Sequence, residues 1–278
     1  SAASDVYKRQ HLRRVEAAIG TIETSKLDKV VLARAVDIEF PEAIDPRLVA
    51  ARLIDLSANR DGFIADLSPA GRPSAMLVGS SPEVLVKRQG STVSAFPLAG
   101  SSPRRATAAE DHIAGQDLLH SAKDLHEHSF VVEHLRRVLS PLCERLDIPD
   151  TPQLISTNEM WHLGTPISGT LKDKDLTALE LALAAHPTPA ICGTPAEAAQ
   201  ALIETAETDR GFYAGAVGWC DSSGDGEYMV AIRCAEVAGD GLSARAWAGG
   251  GIVGDSNAQA ELEETTAKLR TILKALSL

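Results

Sequence analysis

FYAGAVGWCDSSGDGEYMVAIRCAEVAGDGLSARAWAGGGIV, residues 212–253, is the stretch whose reading decides the fold. Short apolar runs rich in Val, Ile, Trp and Tyr are cut by Asp-Ser-Ser-Gly-Asp-Gly at 221–226 and by Gly-Asp-Gly at 239–241. Side chains that suit a pleated surface, separated by residues that tolerate tight turns, predict three antiparallel strands. A second hairpin is predicted further back, with arms EVLVKR (83–88) and TVSAF (92–96) turning near Gln89-Gly90. KVVLARAVDIEF (29–40), GFIADLS (62–68), SAMLVGS (74–80) and TPQLISTNEMWHLGTPISGTL (151–171) read as further strands.

Between these runs the apolar spacing changes to that of helices. Helices are expected over 11–24, 46–58 and 108–146 with Pro141 interrupting, over 176–186 ended by Pro187, over 196–207, and from about Ala258 to the end. SAASDVYKRQ at 1–10 has no periodicity and is left unassigned. Hairpin-linked strands alternating with blocks of helices predict an α+β fold with antiparallel sheets, in one domain over 11–278.

The 278 residues are 44% hydrophobic and 23% charged, enough to fill a large core and far from a disordered composition. No run of about 18 apolar residues is present, so no transmembrane helix is expected. The N-terminus lacks the apolar run of a signal peptide. A formal net charge of −11 argues against nucleic acid as a partner, although a few local cations could still hold a small anion. Cys143, Cys192, Cys220 and Cys234 lie far apart with no CxxC, which reads as reduced thiols in a cytoplasmic protein.

Two acidic pairs share one spacing. ELEETTAKL (261–269) places Glu261, Glu264 and Lys268 on one helix face, and AKDLHEHSF (122–130) does the same for Asp124 and Glu127. By spacing alone these are solvated helix faces. If the helices face each other, four carboxylates demand a cation, and oxygen ligands favour Mg²⁺. His126, His128 and His134 do not make HExxH and read as surface or supporting histidines rather than zinc ligands. Lys29 at the head of a strand is either a snorkelling lysine or, if buried, a general base. Glu83 after Ser-Ser-Pro is either a turn-exposed acid or a carboxyl kept protonated in a pocket. Arg233, inside the apolar VAIRCA, must point at a carboxylate, either the protein's or a ligand's. Pro97–Ser101 and Gly249–Gly251 read as glycine loops open to an anion, and neither fits a P-loop or a dinucleotide fingerprint.

Taken in order, KVVLAR, GSSPE (79–83), FPLAGS (96–101), KDLHEH (123–128), PQLISTNEMWHLGTPISG (152–169), HPTPAICGTP (186–195), the 213–237 block, AGGGIV (248–253) and ELEETTAKL resemble the chorismate-utilising enzymes. Within that family the chain looks most like isochorismate synthases, whose product feeds catechol siderophores or menaquinone. Salicylate synthases are the nearest rival, and a non-catalytic chorismate-binding module is the alternative of another class. The resemblance implies two large packed antiparallel sheets with outer helices, and a cytoplasmic, Mg²⁺-dependent isomerase. It would act on chorismate as a monomer and pass isochorismate to a downstream enzyme. It implies Lys29 as general base, Glu83 as general acid, Glu127 and Glu264 as direct Mg²⁺ ligands, and Asp124 and Glu261 as their acidic neighbours. Gly100, Ser101, His186, Arg233, Gly249, Gly251 and Lys268 are implied as substrate contacts. Two departures stand out. Gly250 takes the place of the family's usual alanine. The family also carries an additional N-terminal segment, which implies that an N-terminal portion is missing here.

Overall fold

The computed structural model describes residues 2–277. The helices are α1 (Ala2–Thr24), α2 (Pro46–Leu56), α3 (Ala108–Leu119), α4 (Ala122–Leu139), α5 (Ala178–Ala185), α6 (Ala196–Ala206) and α7 (Ala258–Leu276). The strands begin with β1 (Lys29–Glu39), β2 (Phe63–Asp66), β3 (Met76–Gly79), β4 (Val84–Gln89), β5 (Thr92–Phe96), β6 (Leu98–Pro103) and β7 (Cys143–Asp147). They continue with β8 (Gln153–Ser156), β9 (Met160–Gly164), β10 (Ile167–Leu171), β11 (Gly193–Thr194), β12 (Ala216–Cys220), β13 (Gly226–Val230), β14 (Cys234–Val237) and β15 (Ser243–Ile252).

Two six-stranded sheets run β11-β1-β15-β14-β3-β2 and β12-β13-β4-β5-β10-β7, beside a three-stranded sheet β6-β9-β8. The fold is α+β, as expected, with antiparallel pairing throughout the described ladders. The longest pairing joins β1 to β15, from Val30 opposite Ile252 to Glu39 opposite Ser243. The first five residues of β1 are all buried, so this strand has protein on both faces at its start and solvent on one face at its end. The main core includes Val30, Leu32, Val86, Val93, Val131, Leu135 and Ile167, drawn from both large sheets and α4. A second core pins α2 and α7 to the first sheet, with Val49, Leu53, Leu269 and Ile272 on Val78, Ala235, Ala246 and Ala248. Alanines on the strands let α7 lie close to β15, and this sets the position of everything that α7 carries.

Five details differ from the sequence reading. Helix α1 begins at Ala2 and takes in residues left unassigned; from Ser4 to Gln10 every residue is exposed, so no apolar stripe existed to read. The 108–146 block breaks after His120, where Ser121 caps α4 by accepting a hydrogen bond from the Asp124 N–H at 3.2 Å. Its tail, Cys143–Asp147, is strand β7, held by pairing with β10 rather than by its own propensity. The 212–253 stretch makes four strands rather than three, because the chain turns at Arg233 with φ of 52°. Finally, Leu98–Ser101 and Gly249–Gly251 are strand, not loop. The four cysteines are free, and no helix among the described residues is long and apolar enough to cross a membrane.

Candidate active site

Helices α4 and α7 bring the two acidic pairs together. Glu127 belongs to the buried stripe of α4 with His128, Val131 and Leu135; Glu261 and Glu264 belong to that of α7 with Thr265, Leu269 and Ile272. They are therefore core-facing residues, and the solvated-face reading does not hold. Asp124 and Glu261 lie in the first turns of their helices, where the N-terminal dipole favours an anion.

The glycines of β15 make this approach possible. A Cβ at Gly251 would overlap Glu127 Oε1, and one at Gly250 would stand 2.8 Å from Glu264 Oε2 and 2.9 Å from Glu261 Oε2. At Gly249 it would meet the Tyr213 hydroxyl at 2.9 Å. Gly249 and Gly251 clear one face of the strand for the Tyr213 phenol and Glu127, and Gly250 clears the other for Glu261 and Glu264.

Four carboxylates packed together must be compensated. Lys123 does part of this: its Nζ is 3.0 Å from Glu261 Oε1, 3.5 Å from Asp124 Oδ1 and 3.7 Å from Glu127 Oε2. Despite burial, these acids hold its pKa well above that of an ordinary lysine. One ammonium is too little. Glu261 is pushed up to about 8, by burial first and Glu264 second, and its Oε2 is buried with no hydrogen-bond partner. Burial also raises Asp124. Among the described residues no group of three or more acidic, imidazole or thiol side chains already stands in a metal-ligating arrangement. The donor set nonetheless fits a divalent cation: all ligands are oxygen, one of them is orphaned, and the cluster keeps excess negative charge.

At the other end of the cleft the sign reverses. Arg233 lines it, and among the described residues no carboxylate lies within ion-pair distance of its guanidinium. Its Nη2 donates a long, 3.5 Å contact to His162 Nε2. The His162 Nδ1 pairs with Ser101 Oγ at 2.8 Å, and burial, with Arg233 and Lys268 nearby, keeps this imidazole neutral with its pKa far below the usual value. Arg233 sits in left-handed backbone, a cost tolerated where side-chain direction matters. Lys268 donates to Gly249 O and to Glu264 Oε2, both at 2.8 Å, and so is anchored between the two ends.

Lys29 opens β1 of one large sheet, and Glu83 immediately precedes β4 of the other and lines the cleft. Lys29 is 0% exposed, so it is no snorkelling lysine. Burial lowers its pKa, against the opposing pull of Glu127 whose Oε1 is 3.4 Å away, and its Nζ lacks a well-formed hydrogen bond. Glu83 is 3% exposed, which rules out a turn-exposed acid. Burial pushes it up to about 7, even though the Leu98 N–H donates to it and Lys29, Arg233 and Lys268 pull the other way. Glu83 thus lines the cleft, while Lys29 lies sealed behind Glu127 and Gly251 at its wall; burial moves the two pKa values in opposite senses, the lysine's down and the acid's up.

Gly100 and Ser101 line the same cleft from β6. Gly100 has φ of 85°, and a Cβ there would press on the Asp124 carbonyl at 3.1 Å. His186 lies elsewhere: it caps α5 and borders a neighbouring hollow with Cys192 and Arg210. His128 is structural, bonded to Ala99 O at 2.9 Å and Thr165 Oγ1 at 2.6 Å, where it holds β6 to α4. His126 is exposed and meets Phe130 edge-on, with 4.7 Å between ring centroids, and His134 bonds Ala185 O. Three cleft residues escaped the sequence reading: His162, Tyr213 and Lys123. The lone polar ring within the buried run Met160–Gly164 was the available signal for His162.

The family model of the chorismate binding enzyme matches residues 1–277. A Mycobacterium tuberculosis protein provisionally named isochorismate synthase MenF is 51% identical over 252 residues, 90% of this chain and 68% of its own length. The Bacillus subtilis isochorismate synthase DhbC is 45% identical over 265 residues, 94% of this chain and 66% of that protein. The chain thus spans about two thirds of these curated relatives. A crystal structure provisionally assigned as the 2,3-dihydroxybenzoate-specific isochorismate synthase DhbC of Bacillus anthracis superposes with a TM-score of 0.93 at 42% identity, covering 97% of this chain and 72% of that one.

Proposed function

This chain belongs to the family of chorismate binding enzymes, and from that premise we propose that it is an isomerase converting chorismate to isochorismate with Mg²⁺ as its cofactor. The observation that carries the reading is a pair of opposed shifts at one cleft: Lys29, fully buried behind its wall with a pKa lowered by burial, and Glu83, which lines it and is pushed up to about 7.

The reaction adds water at C2 of the ring, shifts the double bonds and expels the C4 hydroxyl. Water is a poor nucleophile, so neutral Lys29 Nζ takes its proton during attack. Hydroxide is a poor leaving group, so the Glu83 carboxyl gives it a proton and it departs as water. Each such transfer is worth about 10²–10⁴-fold in rate. Water enters and water leaves, and Lys29 ends with one proton too many while Glu83 has one too few. Returning that proton, directly or through solvent, resets both groups.

Arg233, unpaired and fixed by its backbone, clamps one substrate carboxylate, with Lys268, Ser101 and the N–H groups of Gly100, Gly249 and Gly251 around the ring. Glu127 and Glu264, with Asp124 and Glu261 beside them, would hold Mg²⁺, which supplies the positive charge that neutralises the other carboxylate.

The test is incubation of the chain with chorismate and Mg²⁺, followed by mass-resolved chromatography and a coupled assay for pyruvate. The expected product is isochorismate without pyruvate. Salicylate with stoichiometric pyruvate would reassign the reaction, and bound but unchanged chorismate would leave only a binding module.

A further inference from the structure

Three ammonium groups border the acidic cluster, and their attachments differ. Lys29 is sealed in the core at 0% exposure. Lys268 is tied to a backbone carbonyl as well as to Glu264. Lys123 touches only carboxylates, makes its closest contact, 3.0 Å, to Glu261 from the opposite helix, and keeps its side chain 22% exposed. It also sits in the first turn of α4, where the helix dipole disfavours a cation. Among the described residues, its polar contacts are all to carboxylates. Its chain neighbours Ser121 and Asp124 line a hollow of about 560 Å³ together with Ser101, Arg105, Glu110 and Asp117. That hollow offers Lys123 a second position.

We propose that Lys123 is a tethered stand-in for the divalent cation. Without metal, its ammonium bridges α4 and α7 and prevents the four carboxylates from forcing the helices apart. Metal binding displaces it toward the hollow. Two charges then replace one in a cluster where Glu261 Oε2 has no partner. The released ammonium moves into that hollow, where Glu110 and Asp117 offer it carboxylates. The lysine therefore competes with the metal from within the chain, as a tethered ligand does at high effective concentration. This inference rests on the Mg²⁺ reading above.

The experiment is calorimetric titration of the metal-stripped full chain with MgCl₂, together with melting temperatures in chelator, for the original chain and for Lys123→Met, Lys123→Gln and Lys123→Arg. The Met and Gln variants are expected to bind Mg²⁺ about tenfold tighter or more, to melt lower in chelator, and to recover that loss at saturating Mg²⁺. The Arg variant should bind no tighter than the original. Original chain that binds Mg²⁺, with Met and Gln variants that bind it equally or more weakly, would overturn this inference and leave the metal reading intact. Met and Gln variants that do not fold even at saturating Mg²⁺ would also overturn it, since the metal could not then substitute for the lysine. An original chain that binds no Mg²⁺ would remove both.

Discussion

The two ends of the cleft are built from the same materials and left unfinished in opposite senses. At the acidic end four carboxylates outnumber the ammonium groups of Lys29, Lys123 and Lys268 that touch them, and an oxygen of Glu261 has no hydrogen-bond partner among the described residues. At the cationic end Arg233 faces a neutral imidazole and, among the described residues, no acid within ion-pair distance. Neither end would be arranged this way for stability, because uncompensated buried charge is costly. The difference indicates what completes the site: a cation at one end and an anionic ligand bridging to the other. Glu83 lines the cleft and Lys29 is buried against Glu127; burial raises the acid's pKa and lowers the lysine's, the directions that acid–base work requires.

The comparison breaks most completely at this lysine. Lys29→Ala is expected to lower turnover by about 10²–10⁴-fold or more while chorismate binding by calorimetry persists; turnover within a few-fold of the original would remove the base. Glu264→Ala should abolish the activity that added Mg²⁺ supports, and a variant still stimulated by the metal would move the acidic end elsewhere. At Glu83 the sign follows from its pKa. Burial raises it to about 7, so the proton-bearing form is present below that pH, and kcat/KM should fall about tenfold per unit above it. Glu83→Gln should lose both that limb and most of the rate. Arg233→Ala should raise KM for chorismate about tenfold or more with a smaller change in kcat, since it removes a clamp rather than a reacting group. The smallest effect belongs to His126→Ala: being exposed on α4, it should leave activity unchanged and stability within about 0.5 kcal/mol. A large loss there would revive a histidine role in metal binding.

Much of this was legible in the sequence, and the failures share a cause. The acidic pairs could be found by spacing because a helix repeats every 3.6 residues, and the strands of 29–40 and 83–96 because their apolar runs are long and their turn residues plain. Whether the acids were buried could not be read from spacing, because that depends on α7 lying on alanines of β14 and β15. Gly249–Gly251 were misread as a loop for a related reason. Three glycines signal flexibility locally, yet here they are strand positions emptied of side chains so that Glu127, Glu261, Glu264 and Tyr213 can approach. Strand β7 carried no signal of its own, and pairing with β10 determines it. The break between α3 and α4 was written only in the Ser121 cap, inside an otherwise helical pattern. Lys123 was overlooked because a lysine beside aspartate on a helix looks ordinary until the second helix is in place.

The most direct test of the central claim, water addition between a lysine base and a glutamic acid, is turnover of chorismate with Mg²⁺ in H₂¹⁸O. The account predicts isochorismate heavier by one ¹⁸O, carried on the C2 hydroxyl, with the label absent from unreacted chorismate at early times and no product from Lys29→Ala. Unlabelled isochorismate, which would mean that the C4 hydroxyl itself migrates, would contradict it.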